Sequence, residues 1–206
     1  MYALVQDNKI TQIINQPKSI VIGDVRYPAQ IFTKWSKAEK EAIGIYEIIT
    51  DSSNYKDPAY YINTNEQYDF ADNQVTKSWG TATPKRLEDE DAVDEDGNPV
   101  LDENGVQLIN YGLKTEKKRI VKQQAAGLLA PTDWVIIKAK ETGTNIPTAT
   151  KSWRADVRTK SNEMEAMIDA CTTVDELKAL YEYTNTGTEA NPVITRPLAE
   201  FPTLEN

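Results

Sequence analysis

The chain has 206 residues, of which 39% are apolar and 27% charged, and its formal net charge is −9. That length and composition suffice for one large or two small domains with a core that needs no disulfide. The negative balance repels nucleic-acid phosphates, and no apolar run approaches the length of a membrane span, so neither nucleic acid nor membrane is an expected partner.

The N-terminal third predicts strands. Tyr2 to Val5 and Lys9 to Ile14 flank Gln6-Asp-Asn-Lys9, a hairpin-turn sequence. Ser19 to Tyr27 alternates around Gly23 and predicts another strand or strand pair ending at Pro28. Ser36-Lys-Ala-Glu39 is a capping box that opens a short helix to about Gly44, and Ile45 to Thr50 then reads as a strand.

Asn54 to Pro84 is rich in tyrosine and asparagine. Tyr60 to Ile62, Glu66 to Phe70 and Asn73 to Trp79 have the lengths of a meander with tight Asn/Asp turns. The aromatics Tyr55, Tyr60, Tyr61, Tyr68, Phe70 and Trp79 outnumber what a small sheet needs. Cross-strand pairing accommodates several of them. Alternatively Tyr60, Tyr61, Tyr68 and Trp79 are anchors of a protein interface, where Tyr and Trp are enriched.

Composition shifts at Leu87. Glu88 to Asp91, Asp94 to Asp96, Asp102 and Glu103 make this stretch acidic, and Asp94-Glu-Asp-Gly-Asn-Pro-Val100 nearly repeats in Asp102-Glu-Asn-Gly-Val-Gln-Leu108. Gly97 follows Asp96 directly, which is not the spacing of an EF-hand loop. A protruding acidic hairpin is expected, with Val100-Leu101 against Val106 to Leu108 and Asn104-Gly105 at the turn; adventitious Ca²⁺ binding is the alternative. Thr115 to Leu129 predicts a helix with Ile120, Val121, Ala125 and Leu128 on its apolar side. The cluster Lys114, Lys117, Lys118, Arg119 and Lys122 reads as a solvated helix face rather than a phosphate contact.

Leu128 to Cys171 carries the strongest pattern. Pro131 and Thr132 open a helix, with Thr132 as cap and Asp133 in the first turn; Trp134 and Ile137 give it an apolar side, and Gly143 stops it. Beyond Pro147, Trp153, Val157, Met164, Met167, Ile168 and Cys171 recur at helical spacing, with Lys160 interrupting the stripe. Thr173-Val-Asp-Glu176 is a second capping box, ahead of Leu177, Leu180 and Tyr181. Trp134, Trp153, Val157, Met164 and Ile168 are expected to bury together between these helices.

The end, Asn185 to Asn206, spaces Pro192, Pro197 and Pro202 five residues apart, which excludes a helix. It reads as disordered or as an extended arm that docks Val193, Ile194, Leu198 and Phe201 on a partner, so its removal is expected to leave the monomer folded.

The fold class expected is therefore α+β: an antiparallel β-rich region followed by a C-terminal bundle of three or four helices. The divisions are 1–86, an acidic insertion 87–112, a helical domain 113–184 and the arm 185–206. Chemistry is sparse. There is no histidine, one cysteine on an apolar stripe, no P-loop, no dinucleotide fingerprint and no nucleophile elbow. No catalytic residue, cofactor or metal site is expected.

The segments LLAPTDW, KAKETGTNIP and SWRADVR, with the turn before VDEL, resemble the C-terminal helical region of bacteriophage tail assembly chaperone and tail-fibre-associated proteins. The resemblance rests on Thr132, Asp133, Trp134, Glu141, Thr142, Gly143, Ile146, Pro147, Trp153, Arg154, Ala155 and Arg158; the family usually has tyrosine where Trp153 stands. It covers about a quarter of the chain and implies a tail-related phage protein. Three roles follow as expectations: a structural component of the tail, baseplate or fibre attachment; a soluble assembly chaperone absent from the virion; or, remotely, a cell-surface hydrolase. The implied partners are other phage tail, baseplate or fibre proteins, with a homo-oligomer as a further option. The implied location is the host cytoplasm during synthesis and the virion tail for a structural protein.

Overall fold

Asp7 and Asn8 both take positive φ, 51° and 59°. Short polar side chains tolerate that conformation, and two such residues in succession make the tight turn that suits the twist of a hairpin. Strands β1 (Tyr2–Gln6) and β2 (Lys9–Ile14) accordingly pair antiparallel, with a bulge between Leu4 and Val5. The same device recurs at Asp72 and Asn73, with φ of 51° and 57°, between β7 (Gln67–Ala71) and β8 (Gln74–Ser78). The structure is a computed structural model that describes residues 1–204. The chain divides into two compact units, one ending at Pro84 and the other beginning at Lys85.

In the first unit β5 (Ile45–Thr50) lies between the two hairpins, giving a sheet of order β2-β1-β5-β8-β7. Its pairing with β1 is antiparallel and its pairing with β8 is parallel. Two cores form, one on each face. Leu4, Ile14, Ile45, Ile31 and Phe32 pack on one side together with Ile20 of β3 (Ile20–Ile22), which pairs with β4 (Val25–Tyr27). Ala3, Val5 and Val75 pack on the other, with Ile13, Tyr46 and Phe70 against them. Alternate residues of the interior strand β1 thus serve opposite faces.

Short helices α1 (Ile31–Lys34) and α2 (Lys37–Glu41) precede β5. The expected capping box is present: Ser36 Oγ accepts from the Glu39 N–H at 3.3 Å, and the Glu39 carboxylate accepts from the Ser36 N–H at 2.8 Å. Gly44 ends this segment at φ +82°, where its C=O accepts from the Val5 N–H of β1 at 2.8 Å; a Cβ there would lie 2.4 Å from the Val5 carbonyl oxygen. Only glycine fits.

The meander expected from the tyrosine-rich stretch is incomplete. The strand β6 (Tyr61–Ile62) pairs with β9 (Thr83–Pro84), not with β7. Local turn chemistry closes β7–β8, but the β6–β9 pairing spans the whole hairpin and leaves no local signature.

In the second unit β10 (Glu90–Asp91) pairs with β11 (Ile109–Asn110) at the root of the acidic insertion. Helix α3 (Leu113–Leu129) then packs along α5 (Thr148–Ala170). Val121 and Ala125 of α3 are buried, as are Trp153, Val157, Met164 and Ile168 of α5. The core row of α5 passes through Ser161, so Lys160 stays at its margin and pairs with Glu163. Two ion pairs bridge the helices, Lys118–Asp169 at 2.7 Å and Lys122–Glu165 at 3.3 Å. Helix α6 (Val174–Ala179) carries the second expected capping box, on Thr173 and Glu176, and buries Val174 and Leu177. No helix among the described residues is long and apolar enough to cross a membrane.

The C-terminal segment is not an extended arm. Strands β12 (Thr184–Asn185) and β13 (Ile194–Thr195) close a hairpin, in which Asn185 Oδ1 accepts from the N–H groups of Gly187 and Val193. The chain then folds back on the helices. Leu198 is buried, with its N–H on the Leu180 carbonyl at 3.0 Å. Phe201 packs against Ala125, Trp153 and Val157, and Trp153 Nε1–H donates to the Pro202 carbonyl at 2.9 Å. The prolines exclude a helix, as expected, but Leu198 and Phe201 between them are turned to this chain's own second unit, while Val193 and Ile194 stay exposed. Glu205 and Asn206 lie outside the described residues.

Candidate functional site

Helix α4 (Asp133–Thr142) is the least covered α-helix of the second unit. It has no buried residue, and Trp134 and Ile137 are 60% and 58% exposed. This corrects the expectation that Trp134 joins Trp153 in the core. The physical reason is the way α4 is fastened. The Arg154 side chain, buried on α5, donates to the Leu129 carbonyl at 2.8 Å, to the Thr132 hydroxyl, and to Asp133 Oδ1 at 2.6 Å. Thr132 donates in turn to the Leu129 carbonyl at 2.9 Å and makes no helix cap, again unlike the expectation. The start of α4 is thus held by polar contacts rather than by its apolar side, and Trp134 points away from them. At its other end Gly143 adopts φ +69°, a left-handed stop that glycine takes without strain.

Two adjoining clefts of about 590 and 300 Å³ flank α4 and the corner after it. They share Ala139, Thr144 and Asn145, and their charged lining is Lys138, Lys140 and Lys151, with no carboxylate. None of these lysines takes part in an ion pair among the described residues. Lys138 lies over the Trp134 ring, 5.7 Å from its centroid. In a chain of net charge −9 this is a local reversal of sign.

The acidic insertion is two hairpins in tandem, with a period of eight residues. Val93 bridges Pro99 as Leu101 bridges Gln107. Asp94 Oδ1 accepts from the N–H groups of Asp96 and Asn98, as Asp102 Oδ1 does from those of Asn104 and Val106. Gly97 and Gly105 occupy matching positive-φ positions. Ala92, Val100 and Leu108 join the repeats, each N–H bonding to a carbonyl of another, and the Gln107 amide donates to all three carbonyls. The expected second hairpin is present; the first was visible only as a sequence repeat. Backbone N–H bonds, from Asn98 and Val106 first, hold the carboxyls of Asp94 and Asp102 below the usual aspartate range. These oxygens are thereby committed to the turns, and no group of three His, Cys, Asp or Glu among the described residues is placed to hold a metal ion.

Three carboxylates at the root of the insertion have partners: Glu88 pairs with Lys114, Glu90 with Arg86, and Asp89 accepts from the Gly112 N–H and the Thr115 hydroxyl. Among the described residues Glu95, Asp96 and Glu103 near the turns are in no ion pair, and Val93, Leu101 and Val106 beside them are 55%, 52% and 60% exposed.

The expected anchors separate into distinct groups. Tyr60 and Tyr61 are buried, 6% and 4% exposed, and support the first unit instead of presenting rings to a partner. Tyr68 and Trp79 are half-buried in a polar network. Glu66 accepts from Tyr68 Oη at 2.6 Å and Lys77 Nζ at 2.7 Å, and Lys77 lies over the Trp79 ring, itself 4.8 Å from Tyr55. Leu198 is buried and Phe201 half-buried on their own helices. Val193 and Ile194 are exposed on the second strand side of the C-terminal hairpin, opposite Thr186 and Asn185. The basic cluster on α3 borders a cleft of about 800 Å³. Its cations are already matched, Lys114, Lys118, Arg119 and Lys122 by carboxylates and Lys117 by the Tyr181 ring.

Sequence reasoning missed Arg154 and the exposed face of α4. The Arg-x-x-x-Arg spacing of 154 and 158 puts both arginines on one side of α5, next to the row of Trp153 and Val157, and does not distinguish the buried one from the other. No protein-family model, curated protein or solved structure matches the chain.

Proposed function

We propose that the chain is a non-catalytic bacteriophage tail-associated protein, a structural component of the tail, baseplate or fibre attachment that acts by binding other tail proteins. The observation that carries this reading is the Arg154 clasp. Thr132, Asp133 and Arg154, which bear the resemblance to tail-associated proteins, form one polar fastening, and Trp134 beside them is left exposed on a helix with no buried residue. A tryptophan held in the open by a dedicated set of bonds suits a contact anchor.

A soluble assembly chaperone is the second reading. The uncovered apolar side of α4 favours it, because such a surface can hold a segment of another chain before assembly. Mass spectrometry of purified phage particles separates the two: stoichiometric presence is expected for the structural protein. Absence from particles, with co-purification of a tail protein from infected cells, would replace the first reading by the second. Failure to associate with any tail component would remove both.

A further inference from the structure

The tandem acidic hairpin and the lysine-lined clefts around α4 are complementary surfaces on one chain. The hairpin presents the carboxylates Glu95, Asp96 and Glu103, in no ion pair among the described residues, beside exposed Val93 and Leu101. The clefts present Lys138, Lys140 and Lys151 beside exposed Trp134 and Ile137. Both charges sit next to apolar side chains, so contact would desolvate apolar area while pairing opposite signs.

The hairpin does not serve its own chain's clefts: no residue from 88 to 108 lines either. Nor is α4 self-sufficient. A helix of ten residues is marginal in water, and this one has only half-buried Val135, Ile136 and Ala139 on its inner side, with no fully buried residue. Its order calls for a cover.

We infer that a second copy of the chain supplies that cover, its acidic hairpin seating in the clefts around α4. The contact joins two different surfaces. Two copies satisfy it by reciprocal exchange, each hairpin in the other's clefts, and where the geometry does not close on a pair it closes a ring or propagates a filament. Its charges lie near the surface, so added salt weakens it. The pairing rests on the two surfaces alone and does not require the phage reading.

The test uses the full chain and two triple variants in sedimentation and light-scattering measurements. The first variant is Lys138→Glu, Lys140→Glu and Lys151→Glu; the second is Glu95→Lys, Asp96→Lys and Glu103→Lys. All six positions are at the surface, and an unfolding curve like that of the parent checks each fold. The parent is expected to self-associate with rising concentration, less so at high salt. Each variant alone has surfaces of one sign and is expected to stay monomeric, whereas an equimolar mixture associates. Zero-length amine-to-carboxyl cross-linking of isotopically mixed parent protein is expected to join Lys138 or Lys140 of one copy to Glu95 or Asp96 of another. A parent that stays monomeric at every concentration overturns the inference. So does a hairpin variant that self-associates alone, which would mark a contact of α4 with α4, or a mixture that fails to associate.

Discussion

Arg154 and Asp133 lie 2.6 Å apart, but they are unequally placed: the arginine side chain is 8% exposed and the aspartate 56%. The pair is therefore asymmetric in energy. Asp133 is a wet partner whose loss removes a screened attraction, whereas Arg154 also holds the Leu129 carbonyl and fills space against the core. Arg154→Ala is expected to lower the stability of the second unit by about 2–4 kcal/mol, and Asp133→Ala by less than about 1 kcal/mol. Denaturant midpoints of the two variants check the ranking, and an equal loss would contradict it.

The two tryptophans of the helical region should part company in the same way. Trp153→Ala empties a site between α3, α5 and Phe201 and is expected to cost about 3–5 kcal/mol. Trp134→Ala removes an exposed ring and should leave the monomer within about 0.5 kcal/mol of the parent. Thermal unfolding at low protein concentration distinguishes them; a large loss for Trp134→Ala would mean that α4 has cover within the monomer.

Leu198 closes the helical core from the C-terminal side. Leu198→Ala is expected to destabilise by about 2–4 kcal/mol, and removal of residues 196–206 by more, since the Trp153–Pro202 bond and the Phe201 contact go with it. Limited proteolysis of the truncated chain should then cut within the helices. Parent-like resistance would mean that the segment is dispensable to the fold.

Acid should loosen the tandem hairpin. Asp94 and Asp102 are held below the usual aspartate range in the folded chain, so the stabilisation they contribute is present above the unfolded aspartate value, about pH 4, and is lost as pH falls through the lower folded values. The amide resonances of Asn98 and Val106 should move together below about pH 4 and stay flat at neutral pH. Asp94→Ala should abolish the movement at Asn98 and spare Val106. Titration of Asn98 above pH 5 would mean that another group controls the turn.

What the sequence made legible was local. Both capping boxes, the Gly143 stop, the Asp-Asn and Asn-Gly turns and the α5 stripe depend on residues a few positions apart, and each is present. What it hid was long-range. The β5–β8 parallel pairing and the β6–β9 pairing have no turn to announce them. Val193 to Phe201 is equally apolar whether it covers its own helices or another protein, so its destination cannot be read from composition. Trp134 failed for a related reason: periodicity gives a helix an apolar side but does not say that anything lies against it. Arg154 was hidden because a guanidinium on a helix reads as a solvent contact until its acceptors, Leu129, Thr132 and Asp133, are brought to it.

The return of the C-terminal segment has a bearing on the order in which the chain acquires its structure during synthesis. The first unit has all its strands once Pro84 has emerged, and it can form while the rest is still being made. The second cannot finish on that schedule. Trp153 waits for a backbone partner 49 positions later, and the cluster of Ala125, Trp153 and Val157 between α3 and α5 stays open until Phe201 arrives. Closure over so long a stretch is slow relative to helix formation. The helices therefore pass through an interval in which they exist with their core uncovered, and that interval is when this protein is most open to aggregation and to capture by another chain.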